Sequence, residues 1–264
     1  MSILSNKIAM GAIVVGLLGV ASLGIILALN MNMNYNDGSV KVTLLYNAGV
    51  MIEANDERLY IDPYTLPDNQ TDFPADAILV THPHGDHYHY AAIDKIATEE
   101  TVFVFPENMS TEINRHDGTG VNPGDTLEIG SFTVTAFWMY TLPPGPEYDA
   151  SHPREANWTS YIIEVNGMTF FHAGDSKNIP EYEELAGTID VAFLPLGPGC
   201  QTMCDDEVVD VLQVIEPEVF IPIHYGEGTE DSFETVYGTQ VENLGIELMI
   251  LAYWEGTTFT IEST

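Results

Sequence analysis

Residues 77–87 read Ala77-Ile78-Leu79-Val80-Thr81-His82-Pro83-His84-Gly85-Asp86-His87. The opening apolar run has the character of a strand buried on both faces. Pro83 and Gly85 then prevent a helix or a continued strand. Three imidazoles and a carboxylate are thereby confined to the loop 82–87. Packing such groups together without a cation would cost desolvation, and imidazolium repulsion on protonation. The loop therefore reads as part of a metal centre, and its N and O donors suit Zn²⁺, Mn²⁺ or Fe.

Two later apolar runs end in the same manner. Met168–Phe171 leads into His172-Ala173-Gly174-Asp175, and Val219–Ile223 into His224-Tyr225-Gly226. Strand ends are where α/β sheets assemble sites, because the sheet fixes the anchor points. From Val40 onward, further strand-like runs cover 42–46, 50–53, 57–61, 101–105, 132–136, 160–165, 190–196 and 248–251. Helical patterns cover 90–100, 206–215 and 232–244. The alternation predicts an α/β (α+β) chain with sheets covered by helices. With no repeat or internal linker, 40–264 reads as one domain.

The run His82-x-His84-x-Asp86-His87, taken with Phe171–Ser176 and Pro222–Gly226, resembles the signature of the metallo-β-lactamase superfamily. Leu59-Tyr60-Ile61-Asp62-Pro63, Asp76–Thr81 and Pro123–Thr126 are similar too. The closest likeness is to the branch of metal-dependent hydrolases related to L-ascorbate-6-phosphate lactonase, over about residues 40–255. The resemblance implies a four-layer αββα sandwich with the site at one sheet edge. It assigns His82, His84 and His172 to a first metal, Asp86, His87 and His224 to a second, and Asp175 to both. Asp62 would orient a ligand imidazole by accepting its other N–H. One or two divalent ions, Zn²⁺ foremost, are the implied cofactor. A metal lowers the pKa of bound water to about 7, giving a hydroxide for an ester, lactone, amide or phosphodiester. Asp86 would orient that hydroxide and shuttle its proton. Loss of Asp175 or of His172 is expected to remove metal and activity.

Where relatives usually have Gly-His-Ser, this chain has Asn47-Ala48-Gly49. Cys200 and Cys204 allow a disulfide, free thiols or metal binding. Phe137–Tyr140 and Pro143–Pro146 are either an ordinary strand and turn or a pocket wall. His89, His116 and His152 read as surface residues, with a reach of His152 to the site left open. A redox protein on the same scaffold is argued against by His84, where such relatives carry a carboxylate. A membrane-tethered metal-binding or sensing module without catalysis is the alternative to the hydrolase.

Charge limits the partners. The 264 residues carry 40 Asp+Glu against 7 Lys+Arg, a net charge of −33. Such a polyanion repels nucleic acid and leaves a small molecule as the expected substrate. It also suits concentrated salt, where screening removes self-repulsion, so a halophilic setting is one hypothesis and an acidic exterior the other. The oligomeric state has no signature in the sequence. Ile8–Leu29 is a 22-residue run without a charge. As a helix it would span about 33 Å, enough for a bilayer core. Residues 1–30 thus read as an uncleaved transmembrane anchor or a signal segment, and 31–39 as a polar tether. Lys7 before the run favours an extracytoplasmic domain, and cleavage would give a secreted one.

Overall fold

The computed structural model describes residues 8–10, 38–197 and 199–261. Fifteen strands are present among them. They are β1 (Ile8–Met10), β2 (Val40–Leu44), β3 (Val50–Ala54), β4 (Glu57–Ile61), β5 (Ala77–Leu79), β6 (Val102–Pro106), β7 (Thr119–Val121) and β8 (Thr126–Ile129). Then follow β9 (Phe132–Trp138), β10 (Thr159–Val165), β11 (Met168–His172), β12 (Val191–Pro195), β13 (Val219–Ile223), β14 (Glu247–Leu248) and β15 (Gly256–Ile261). The helices are α1 (Tyr90–Ile96), α2 (Ser110–His116), α3 (Asp205–Ile215) and α4 (Thr229–Asn243). One sheet has the order β1-β15-β2-β3-β4-β5-β6-β7 and the other β14-β13-β12-β11-β10-β9-β8.

Side-chain alternation explains the layering. On β4 and β5, Leu59, Ile61, Ala77 and Leu79 face the core between the sheets, while Tyr60 and Ile78 face a second cluster with Ile93 and Ile96 of α1. On β12, Val191 and Phe193 face the shared core, and Ala192 and Leu194 pack with Val208, Val211 and Leu212 of α3. Strands buried on both faces account for the unbroken apolar runs in the sequence. The result is the expected helix–sheet–sheet–helix sandwich.

The N-terminal expectation is corrected. Among the described residues no helix is long and apolar enough to cross a membrane. Ile8–Met10, where the expected span begins, instead forms β1, antiparallel to β15 with Ile8 opposite Ile261. Backbone groups committed to a sheet ladder are not those of a spanning helix. The transmembrane helix, the membrane contact and the extracytoplasmic placement built on it are therefore not upheld. The rest of the expected span and most of the tether lie outside the described residues.

Within the sheets, β4, β5 and β6 run parallel, as do β11, β12 and β13. Their carboxyl ends deliver Asp62, Thr81–His82, His172–Asp175 and His224. Several bonds tie the sheets together there, two of them beside the loop 82–87. Thr159 N–H donates to Thr81 O at 3.1 Å, and Tyr161 O–H donates to Val80 O at 2.8 Å.

Candidate metal centre

Two groups of ligand-type side chains meet at this edge. His82, His84, His152 and Asp175 form one, with a donor atom from each all within 4.8 Å of one another. Asp86, His87 and His224 form the other on the same criterion. His82, His87, His152 and Asp175 are fully buried, whereas the Asp86 side chain is 40% exposed and that of His224 10%. The first group is thus sealed apart from the partly exposed His84, and the second opens to solvent through Asp86 and His224 around a buried His87.

Backbone geometry sets the side chains. Asp62 and His224, each just past a strand, and Asn47 adopt left-handed φ values of 48°, 52° and 62°. Such conformations in residues other than glycine are retained where the surroundings enforce them, often at functional sites. Gly174, beside Asp175, has φ 57°, and a Cβ there would meet Met139 Sδ at 2.7 Å. Only glycine fits that approach.

Hydrogen bonds fix the imidazole tautomers. Asp62 accepts from Thr81 N at 2.8 Å, from the Thr81 hydroxyl at 2.6 Å and from His87 Nδ1 at 2.8 Å. Since the Thr81 hydroxyl proton goes to Asp62, its oxygen accepts from His82 Nδ1 at 3.0 Å. His82 therefore turns an Nε2 lone pair toward the site, whereas the inward Nε2 of His87 offers a lone pair only once the proton held there by Asp175 has left. His87 Nε2 and both Asp175 oxygens are buried without a hydrogen-bond partner. His152 Nε2 stands 3.2 Å from His82 Nε2, with Ser151 Oγ 2.9 Å from its Nδ1. Lone pairs and carboxylate oxygens converging in a buried space lack only a cation, so the donor set fits one.

Ionisation separates the groups. Burial drives His82 well below its ordinary value, and the neighbouring imidazoles add to this. Burial likewise takes His152 down to about 4 and lowers His84. Burial also pulls on His87, but the Asp175 and Asp62 carboxylates outweigh it and hold its proton well above the ordinary range. Burial pushes Asp175 up, yet His87 and its neighbours bring it to about 2. The His224 contact holds the Asp86 carboxyl well below its usual range.

The structure brings together His82, His84, Asp86, His87, Asp175 and His224, with Asp62 behind His87. His172 belongs to neither group. Its Nε2 lies 2.7 Å from Ala48 O, and a carbonyl can only accept, so Nε2 carries the proton. Nδ1 in turn accepts from Gly174 N at 3.2 Å. Both ring nitrogens thus meet backbone groups, so His172 stands apart from the two groups, whereas the resemblance implied a first-metal ligand. His152, read as a surface residue with a reach to the site left open, lies with His82, His84 and Asp175 instead. It lies in the connection 139–158 between β9 and β10, pinned by Thr141 N–H donating to His152 O at 2.9 Å and His152 N–H donating to Thr141 Oγ1 at 3.0 Å.

The departures in sequence also find their places. Asn47 Nδ2 lies 3.4 Å from Asp86 Oδ2 and 3.3 Å from Asp86 O, bracing that carboxylate. Cys204 is a free thiol, 2.8 Å from Glu207 Oε2 at the start of α3. Burial and the neighbouring Asp206 and Glu207 push it up to about 12. A cavity of about 650 Å³ is lined by Tyr140, Leu142, Pro143, Asp149 and Arg154 of the 139–158 connection.

Comparison with known proteins agrees with this geometry. Residues 41–224 match the family model described as the beta-lactamase superfamily domain. A UPF0173 metal-dependent hydrolase of Pyrococcus abyssi is 32% identical over 198 residues, covering 70% of this chain and 84% of that protein. The crystal structure of a candidate metal-dependent hydrolase from Parabacteroides distasonis superposes with a TM-score of 0.71 at 28% identity, covering 81% of this chain and 93% of its own. Igni18, a metallo hydrolase of Ignicoccus hospitalis, shares the fold at 20% identity and a TM-score of 0.69, over 85% of this chain and 100% of its own.

Proposed function

The chain belongs to the β-lactamase superfamily and is a metal-dependent hydrolase of that fold, and we propose that it cleaves an ester, lactone, amide or phosphodiester bond of a small molecule at the edge between the sheets. The carrying observation is the position of Asp175. Its Oδ2 lies 3.5 Å from His152 Nε2 and 3.9 Å from His82 Nε2, while Oδ1 lies 3.1 Å from His87 Nε2 and 3.4 Å from His224 Nε2. One buried carboxylate thus turns one oxygen to each group and meets only imidazole nitrogens there. That arrangement is costly by itself and natural for a ligand bridging two cations.

In this reading His82, His84 and His152 hold one divalent ion, Asp86, His87 and His224 a second, and Asp175 both. A Zn²⁺ ion held there would lower the pKa of bound water to about 7, and Zn²⁺, Mn²⁺ or Fe would each act as a Lewis acid on the substrate oxygen. Asp86, at the open side, keeps its charge and orients the attacking water, with Asn47 fixing its side chain. Asp62 holds the His87 ring so that Nε2 points inward. Trp158, with its ring 5.4 Å from those of His82 and His84, walls the sealed side against water. The motif resemblance to L-ascorbate-6-phosphate lactonase supports lactones as the first substrates to try.

Metal analysis of the full chain, combined with chromogenic esters, lactones, amides and phosphodiesters, tests the reading. One or two equivalents of metal are expected, with turnover lost to a chelator and restored by metal. Asp175→Ala should lose metal and turnover by more than the roughly 100-fold upper cost of an outer ligand partner. Full turnover without metal, or a metal-loaded protein inert to the whole panel, would reject it.

A further inference from the structure

Seven basic side chains occur in the chain, and six fall among the described residues. Each of the six already faces a carboxylate. Lys41 and Arg58 share Glu53, Lys95 meets Asp68, Arg115 meets Asp94, Arg154 meets Glu181 and Lys177 meets Glu207, at 2.6 to 3.6 Å. None of these pairs involves a residue of the two His/Asp groups. A phosphate or carboxylate on the substrate would meet no unpaired lysine or arginine among the described residues.

Aromatic rings adjoin the open side instead. Tyr46 is 45% exposed, and its ring lies 5.1 Å from that of Tyr253, which stacks on Tyr225 at 5.3 Å and 10°. This shelf is tied to the second group through the chain itself. Tyr46 precedes Asn47, which braces Asp86, and Tyr225 follows His224, whose N–H donates to Asn47 O at 3.0 Å. Glu230, in the first turn of α4, is the anomaly beside it. Its Oε2 is buried without a hydrogen-bond partner. Glu230 follows Tyr225 across the short turn closed by Thr229 N–H donating to Gly226 O at 3.0 Å, which keeps the carboxylate close to the shelf. A negative charge close to electron-rich phenol rings complements a cationic ammonium group by electrostatics, with or without an N–H to donate.

We propose that Tyr46, Tyr253, Tyr225 and Glu230 form a subsite for a positively charged, ammonium-type group of the substrate, beside the edge where hydrolysis is placed. The subsite deepens the hydrolase reading and rests on it for the identity of its ligand as a substrate. Beyond the reacting bond itself, which the metals would serve, a remote anionic group of the substrate finds no unpaired lysine or arginine to hold it.

Phenyltrimethylammonium and benzenesulfonate, titrated into the metal-loaded full chain, test this directly. About 1 M NaCl shortens the screening length to about 3 Å, so the net charge of the protein does not mimic a site. Saturable binding of phenyltrimethylammonium is expected, with benzenesulfonate not binding. Tyr46→Ala should weaken the cation by about 2- to 30-fold, Tyr46→Phe should retain it, and Glu230→Gln should weaken it. Equal binding of both probes, or a Tyr46→Ala protein that binds as well as the wild type, would overturn the proposal. Acetylcholine and its neutral isostere 3,3-dimethylbutyl acetate add the kinetic arm, with kcat/KM expected to favour the cation. Cation binding that depends on Tyr46 in a protein inert to every ester keeps the cation site and defeats the hydrolytic reading. Metal-dependent ester hydrolysis with no Tyr46-dependent binding does the reverse.

Discussion

The two His/Asp groups share Asp175 and differ in nearly everything else. Three of the four members of the first group, His82, His152 and Asp175, are fully buried, and its imidazoles are held neutral by burial. The second has Asp86 at 40% exposure, His224 at 10%, and a His87 that keeps its proton through Asp62 and Asp175. A neutral, dry set of lone pairs is ready for a cation at any moderate pH. A protonated, half-open set must give up a proton first, and it is the one a substrate reaches. The sealed group suits permanent retention, and the open group suits exchange and chemistry.

The sharpest break of this contrast is a pair of substitutions. His152→Ala should remove the metal of the sealed group and lower turnover by at least the 10–100-fold typical of weaker ligand-shell losses. His172→Ala should leave metal content unchanged. It costs about 1–3 kcal/mol of stability instead, because Ala48 O loses its buried donor. Metal analysis and thermal melting read the two effects, and equal metal loss in both variants would return His172 to the ligand set. Next in size, Asp62→Asn should weaken the open group by about 10–100-fold, because it touches His87 directly, and the sealed group by less, because it reaches His82 only through Thr81; metal retention against a chelator should then be biphasic.

Proton counting sharpens the contrast further. At pH 7, loading the open group should release about one proton, from His87, and loading the sealed group close to none. Calorimetric titration in buffers of different ionisation enthalpy measures this. His152 also makes the metal-free protein acid-sensitive. Its folded value of about 4 lies below the ordinary 6.5, so the unfolded state binds more protons between them. Stability therefore rises with pH across that window and falls on acidification through it. The smallest effect concerns the surface. With a net charge of −33, the melting temperature should rise from low to molar KCl with metal content unchanged. A falling melting temperature would refute a halophilic surface.

How far the sequence could be read depended on the range of the interactions involved. The loop 82–87 was legible because Pro83 and Gly85 act locally and the strand before it is uniformly apolar. The strands buried on both faces were legible for the same reason. α2 was not foreseen, since none of its residues is buried and no apolar stripe marks it. The fate of His172 is decided by Ala48 O, 124 positions away, which no local pattern announces. His152 left one usable trace. The connection 139–158 is longer than the roughly 12–15 residues beyond which loops are usually functional, and it holds a single histidine. The apolar run from Ile8 read as a membrane span because its pairing with β15 lies at the far end of the chain.

The bonds from Thr159 to Thr81 and from Tyr161 to Val80 join the loop of one sheet to a strand of the other. His82, His84, Asp86 and His87 stand on the first side of that seam, and Asp175 and His224 on the second. Neither half owns a complete coordination sphere. Uptake of metal is therefore a sensor of docking: a chain whose halves have formed but not met would capture nothing, and ion release during denaturation would time the moment the seam parts.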